Sequence, residues 1–431
     1  MGYIVPVLKE KFINSKIIIL HIEDDLDCLP PEGVAALSSM DNKTIKDFLE
    51  KEVPQTDVSR IRIIEWRPSL YFYKEKYTSL LSAAVEFIKK MDAENRTVAA
   101  FGKRWFRNCF KNLEIIQQTL LYRETDIPVI VTGSGPSLEE ALPVIQKMQN
   151  KSLIISASSS LLALAHGNVT PDIIITADGG TWALQHIYPY FRLSAESKFQ
   201  PCIAAYLNAA LPSQCYNIPC IIINDGSLWQ SIILNSLALP SVIIPQKGTV
   251  SAFAVELALL LSRGNIYIAG MDFSVRDIRT HVRPYGFDHL FYSCADRFSP
   301  VYSKSFVRSR LLREGGSLDI YAAWFKNQLN SWPKRIFSIN GNHGLFENKL
   351  PAEKENVKKI KLTPGVHKKN SPGIRQAGLA ALLAALKDQR YAENLKAELT
   401  PLLFAGQECN KEELEKTIIK LAGAADGLVN G

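Results

Sequence analysis

The five residues Gly133-Ser134-Gly135-Pro136-Ser137 follow an apolar run and lead into an acidic, amphipathic one. Glycine lets a backbone come close to a ligand. A proline at the first helical position gives up only an N–H that had no partner, and the amides left free there point outward. The turn therefore reads as an anion cradle, with the hydroxyls of Ser134 and Ser137 as further donors. It is not a dinucleotide fingerprint, because Leu138 stands where a third glycine would be needed, nor a Walker loop, because no Gly-Lys-Ser/Thr follows.

Other polar groups end apolar segments in the same way. Ser158, Ser159 and Ser160 follow LIISA; Asp178, Gly179 and Gly180 follow IIITA; Asn208 follows CIAAYL; Asn224 and Asp225 follow CIII. Lys247, Gly248, Thr249 and Ser251 open another helical run as a second anion site, Gly270 and Asp272 follow IYIA, and Asn340 follows RIFSI. The apolar segments themselves read as strands at Val129–Thr132, Leu153–Ser156, Ile173–Thr176, Cys202–Tyr206, Ile221–Ile223, Val242–Ile244, Ile266–Ala269 and Ile336–Ile339. They are β-branched and largely without polar alternation, as parallel strands covered on both faces are. Helical patterns at Ser137–Met148, Ala252–Leu261 and Ile320–Leu329 intervene, so the fold class is α/β with a central doubly wound, mostly parallel Rossmann-like sheet. Ligands of such sheets bind outside the carboxyl ends of the strands, and the polar groups above would share that edge.

A basic loop follows Asp272. It carries Arg276, Arg279, Arg283, Arg297, Lys304, Arg308, Arg310 and Arg313 against three aspartates, with His281, His289, Tyr285 and Tyr292 among them. This composition suits a lid over a phosphate or carboxylate, with Arg276, Arg279, Arg283, Tyr285 and Tyr292 as its binding residues.

Before this core, KIIIL (Lys16–Leu20) and RIRIIEW (Arg60–Trp66) read as strands of a small N-terminal α/β unit, with a helix near Thr44–Lys51 and a long amphipathic run to Met91. Glu65 has no glycine-rich turn before it and reads as structural. The DxD at Asp25–Asp27 reads as a solvated loop, and Lys103, Arg104 and Arg107 as a solvated face. After Phe346 comes a Lys/Glu/Pro-rich linker and then Ala/Leu-rich helices. The expected domains are 1–95, 96–346 and 347–431, the last a linker with a C-terminal helical region.

The chain has 431 residues, 47% hydrophobic and 22% charged, with a formal net charge of +7. That charge is too mild to indicate nucleic acid. The longest apolar runs fall short of the ~20 residues of a membrane span, and no secretion signal is seen at the N-terminus. Seven cysteines without a CxxC pair fit reduced core thiols, so a cytoplasmic location is expected.

Taken together, GSGPSLEE (133–140), PDIIITAD (171–178), KGTVSAFAVELA (247–258) and IYIAGMDFS (266–274) resemble the MptE-like family, which includes the Maf (motility-associated factor) flagellin glycosyltransferases. The likeness covers roughly 96–346, and the core is similar to bacterial sialyltransferases. The resemblance implies transfer of a nonulosonic acid of pseudaminic or legionaminic type from a CMP-activated sugar donor to Ser or Thr of flagellin, in support of flagellar assembly and motility. It implies that Gly133, Ser134, Gly135, Pro136 and Ser137 hold the phosphate and ribose. Ser158, Ser159, Asp178, Gly179, Asn208, Gly248, Thr249 and Asn340 would line the rest of the donor pocket, and Asp272 would lie beneath the reacting centre. The general base would be Glu314, nearest the sialyltransferase histidine in register, or His281. Two alternatives are an Mg²⁺-dependent 6-hydroxymethylpterin diphosphokinase using ATP, with Asp178 and Asp272 as metal ligands, and a non-catalytic nucleotide-binding flagellar assembly factor.

Overall fold

The computed structural model describes residues 4–13, 15–22, 32–53, 55–194, 201–246, 249–313, 317–340, 345–351, 364–369, 372–405 and 407–423. These divide into two compact units, 1–102 with 400–409, and 103–399 with 410–431.

In the first unit, helix α1 (Ile4–Lys11) precedes two parallel strands, β1 (Ile18–His21) and β2 (Ala35–Ser38). Helix α2 (Asn42–Glu52) is capped by Asp41, whose carboxylate accepts from Thr44 N at 2.7 Å. Such a cap contributes about 1 kcal/mol. Helix α3 (Arg67–Phe72) is followed by α4 (Lys74–Ile115), a single 42-residue helix that contains the boundary between the units. Ile45, Leu49, Leu80, Ala83 and Phe87 form the core of the first unit, with Ile18, Leu20 and Leu37 packed against them.

The strand expected at Arg60–Trp66 does not form. The segment is irregular after a short 3-10 turn (Gln55–Arg60), and Ile63, Ile64 and Trp66 are about half exposed. Its alternation has the strand period, yet among the described residues no ladder partner lies beside it, and β1 pairs instead with β2. Glu65, on this segment, is exposed. The DxD at Asp25–Asp27 lies outside the described residues.

The second unit is built on an 11-stranded sheet. Its chain order is β3 (Gln118–Tyr122), β4 (Val129–Thr132), α5 (Leu138–Met148), β5 (Leu153–Ala157), α6 (Leu161–His166), β6 (Ile173–Thr176), α7 (Leu184–Ser194), β7 (Cys202–Tyr206), β8 (Cys220–Asn224), α8 (Leu228–Ser236), β9 (Ser241–Ile243), α9 (Val250–Leu261) and β10 (Ile266–Ala269). There follow α10 (Asp288–Ser293), α11 (Val301–Arg313), α12 (Ser317–Gln328), β11 (Ile336–Ser338), β12 (Glu347–Asn348), β13 (Pro364–Lys369), α13 (Ile374–Lys387), α14 (Ala392–Phe404) and α15 (Lys411–Gly423).

The strands lie in the order β12-β11-β10-β4-β5-β6-β7-β8-β3-β13, with β9 also paired to β8. All the pairings are parallel except β13 with β3. Strands β4 to β8 and β10 are apolar at nearly every position and buried throughout, because helices cover both faces. From β4 the chain winds outward through β5 and β6 on one side, then returns to place β10 and β11 on the other. The order therefore reverses between β4 and β10. In open α/β sheets the crevice outside the strand ends at such a reversal is where ligands bind.

Six cysteines among the described residues are unpaired, five of them buried, in keeping with core thiols. No helix among the described residues is long and apolar enough to cross a membrane.

Candidate functional site at the strand reversal

The ends of β4 and β10 are in direct backbone contact. Gly133 N donates to Ala269 O at 2.8 Å and Gly135 N to Gly270 O at 2.7 Å. A Cβ on Gly133 would drive into the carbonyl oxygen of Gly270, and one on Gly135 would lie 2.6 Å from Asp272 Cγ. These two glycines are thus required by the neighbouring strand end. Gly270 is left-handed (φ 66) and so is Phe273 (φ 46), a conformation that costs a non-glycine residue roughly 1–2 kcal/mol. The two bracket Asp272 and turn it back towards α5.

Asp272 is buried, and one carboxylate oxygen accepts from Ser137 N at 2.7 Å while the other takes the Ser137 hydroxyl. It fills the place where a ligand anion was expected and acts as the helix's own anionic cap. Pro136 and Ser137 are buried, and Asn340 Nδ2 donates to Ser137 O at 2.6 Å. Ser134 remains half-buried; its hydroxyl accepts from Ser159 Oγ at 2.9 Å and its carbonyl from Val282 N at 2.8 Å. Ser158, next to Ser159, is buried.

The Val282 contact draws the basic loop onto this turn. Arg279 NH1 meets both Glu139 oxygens at 3.0 Å, Arg276 pairs with Glu140, and Arg283 N donates to Glu139 at 3.2 Å. Arg283 also pairs with Asp288 at 3.1 Å, and Asp288 accepts from Tyr285 N at 2.8 Å. The three arginines expected to bind ligand are therefore each matched by a carboxylate of the protein. Tyr292 is exposed, with its hydroxyl 3.5 Å from Arg283 NH1.

Beyond this row lies a small open cleft of about 40 Å³ between the loop and α11. Its walls include Arg279, Arg283, His281, Tyr285, Lys304 and Arg308. His281 stacks on Tyr285 with ring centroids 4.2 Å apart, and its Nδ1 lies 2.8 Å from Thr280 Oγ1. His186 of α7 also packs against Tyr285, ring centroids 5.0 Å apart, with its Nε2 3.5 Å from the tyrosine hydroxyl. Burial, then the charge of Arg308, holds both imidazoles neutral: His281 falls to about 3 and His186 to about 4. Burial pushes the Tyr285 hydroxyl up to about 12, so it stays protonated and able to donate.

The remaining sequence-derived residues lie further along the edge. Asp178 is exposed and accepts from Gly180 N at 2.7 Å. Gly179 is packed beneath Trp105, whose ring a Cβ would strike. Asn108 Nδ2 reaches Gly179 O and Asn208 O at 3.0 and 3.1 Å, and Asn112 Nδ2 reaches Leu207 O and Ala209 O at 2.8 and 2.7 Å. Asn208 is buried, facing Asp225 at 3.4 Å. Thr249 caps α9, accepting from Ser251 N at 3.0 Å and Ala252 N at 3.3 Å. Lys103, Arg104 and Arg107 are exposed. Gly248 and Glu314 lie outside the described residues.

Asp178 and Asp272 do not fit a shared Mg²⁺. They follow β6 and β10, three inter-strand steps apart, which is roughly 14 Å at the ~4.8 Å strand spacing. Mg²⁺ ligands must sit at ~2.1 Å, and Asp272 is already engaged by Ser137.

Sequence reasoning did not single out His186, Glu139, Glu140, Asn108 or Asn112. Only the asparagines carried a local signal, an i,i+4 pair on one helix face.

Residues 103–277 match the model of a family described as 6-hydroxymethylpterin diphosphokinase MptE-like. Two proteins of Treponema pallidum (strain Nichols), each described as uncharacterized, are similar to the chain. One is 25% identical over 303 residues, covering 70% of this chain and 65% of that protein. The other is 28% identical over 116 residues, covering 26% and 54%. The aligned part thus spans less than two thirds of either relative. Among solved structures, a Maf glycosyltransferase from Magnetospirillum magneticum AMB-1 superposes with a TM-score of 0.55 at 14% identity, over 98% of this chain and 72% of that one.

Proposed function

From the premise of an MptE-like core in a chain with the fold of a Maf glycosyltransferase, we propose that this protein is a glycosyltransferase that moves an acidic nonulosonic sugar from a CMP-activated donor to a Ser or Thr hydroxyl, with flagellin as acceptor. The observation that carries the reading is the basic loop joined to the β4 turn at the strand reversal through Val282 and Ser134, residues 278–291 of which form with α11 a cationic cleft around the His281–Tyr285 stack.

In this reading the donor's phosphate and carboxylate sit among the cleft's cations, which stabilise the charge that develops as the bond from the sugar's anomeric carbon to the phosphate oxygen breaks. The acceptor oxygen then bonds to that carbon, and its proton passes to an imidazole. In the tautomer in which Nδ1–H of His281 donates to Thr280 Oγ1, Nε2 is the atom that takes it. Burial first, then the charges of Arg308 and His186, hold His281 well below the ordinary imidazole range and make it a weak base. An anion beside Arg308 would offset only the Arg308 part of that depression; general-base help from a group matched to the working pH is worth roughly 10²–10⁴-fold. Glu314 is the other candidate base.

A thermal-shift panel of CMP, CDP, ATP, UDP and NAD tests the donor class. CMP at 100 times its Kd is expected to stabilise the fold by about 2.7 kcal/mol, several degrees of melting temperature, with UDP and NAD inert. No shift with CMP would sink the donor assignment. The family description of residues 103–277 favours one second reading, pterin diphosphorylation; a shift with ATP that EDTA abolishes would move the assignment there.

A further inference from the structure

The charge inventory of the cleft leaves one guanidinium over. Arg276, Arg279 and Arg283 pair with Glu140, Glu139 and Asp288, and the Lys304 ammonium donates to Cys294 O. Arg308 is half-buried in the cleft wall, and among the described residues no carboxylate pairs with it. Its guanidinium lies over the Phe291 ring, 5.6 Å from the centroid, and it lines the cleft together with Tyr285. The aromatic ring fixes its position without neutralising it. Lys304 stands one turn earlier on the same face of α11, with Ser305 beside it, and both line the cleft.

A partly desolvated cation without a counter-charge is unfavourable unless something answers it. The uncompensated field is felt locally, since it disfavours the charged form of both His186 and His281. A guanidinium presents five donors in a planar fork matched to two oxygens of a carboxylate or phosphate, and a protonated phenol beside it adds a sixth.

We infer that Arg308 and the Tyr285 hydroxyl form an oxyanion-receiving site in this cleft, and that Arg308 selects donors whose bound group carries a carboxylate or phosphate at that point. This deepens the proposed function and rests on it for the identity of the donor. It adds a residue that acts on binding and not on orientation of another side chain. The oxyanion has two possible sources, the nucleotide's phosphate and the carboxylate of the transferred sugar.

The test is isothermal calorimetry on full-length wild type, R308Q, R308K and Y285F, with three probes: CMP (phosphate only), N-acetylneuraminate (carboxylate only) and inorganic pyrophosphate. R308Q is expected to weaken one of the first two at least tenfold while sparing the other, and the affected arm names the source. R308K, which keeps the charge but loses the fork, should lose about threefold or more on that same arm, and Y285F should weaken it in the same direction. If R308Q does not fold by circular dichroism, R308K decides alone. Wild-type affinity of the arginine variants for both CMP and N-acetylneuraminate overturns the inference and leaves the donor reading standing. If wild type binds neither, the donor reading falls and pyrophosphate decides this site: binding lost in R308Q upholds it, while unchanged or absent binding overturns it.

Discussion

At the β4–β10 end of the carboxyl edge, a carboxylate, two glycines and two serine hydroxyls are locked to one another, and a row of arginines is tied across them by Glu139 and Glu140. At the β6–β8 end the groups are mostly amides. Asn108 and Asn112 of α4 cover four backbone carbonyls, Asn224 accepts from Gly226 N at 2.9 Å, and Asp225 accepts from Gln230 at 2.7 Å. Both ends are polar in sequence. The second uses its polarity to satisfy backbone that the sheet leaves open, whereas the first has satisfied its turn internally and still has cations to spare. A polar strand end marks a ligand site only when its hydrogen-bonding and charge exceed what the fold itself consumes.

The contrast can be broken in three places. The largest effect is expected from Gly270→Ala, which needs φ 66 and puts a Cβ 2.6 Å from Gly133 O and 2.8 Å from Leu138 Cβ. Left-handed strain and overpacking together should cost on the order of 3 kcal/mol, read from urea unfolding. A loss under 1 kcal/mol would show that the β4–β10 turn is not the rigid element described. Next comes Asn112→Ala at the other end. Asn112 is fully buried, and losing its two bonds should cost about 1–3 kcal/mol while leaving CMP affinity of the folded protein unchanged. Weakened CMP binding would erase the distinction between the two ends.

The third place is pH dependence. His281 and His186 have folded-state pKa values of about 3 and about 4, below the ordinary 6.5. Below pH 6.5 the unfolded chain binds protons that the folded one refuses, so stability should fall as pH drops from about 6.5 towards 4, and be flat in this respect above 7. His281→Asn should flatten that slope in melting temperature against pH; an unchanged slope would show that the imidazole is not kept neutral by the fold.

Much of the sheet can be read from residues alone, because runs such as Ile173–Thr176 and Ile266–Ala269 are apolar at nearly every position and show no alternation that would turn one face outward. Ala35–Ser38 offered no such signal: its AALS lacks β-branched residues, and Arg60–Trp66 alternated more convincingly yet found no partner. The site was legible as a list of strand ends but not as pairs. That Asp272 caps a helix 135 residues earlier, or that Arg279 meets Glu139, follows only once β10 is known to lie beside β4. The same order separates Asp178 from Asp272, which sequence alone allowed to share an ion.

The three pairs that fasten the 276–283 segment are half or one-third exposed on their arginines, so each holds by no more than about 1 kcal/mol and weakens with salt. Raising the salt concentration should therefore loosen this segment while the buried Asp272–Ser137 contacts, which are shielded from solvent ions, stay in place.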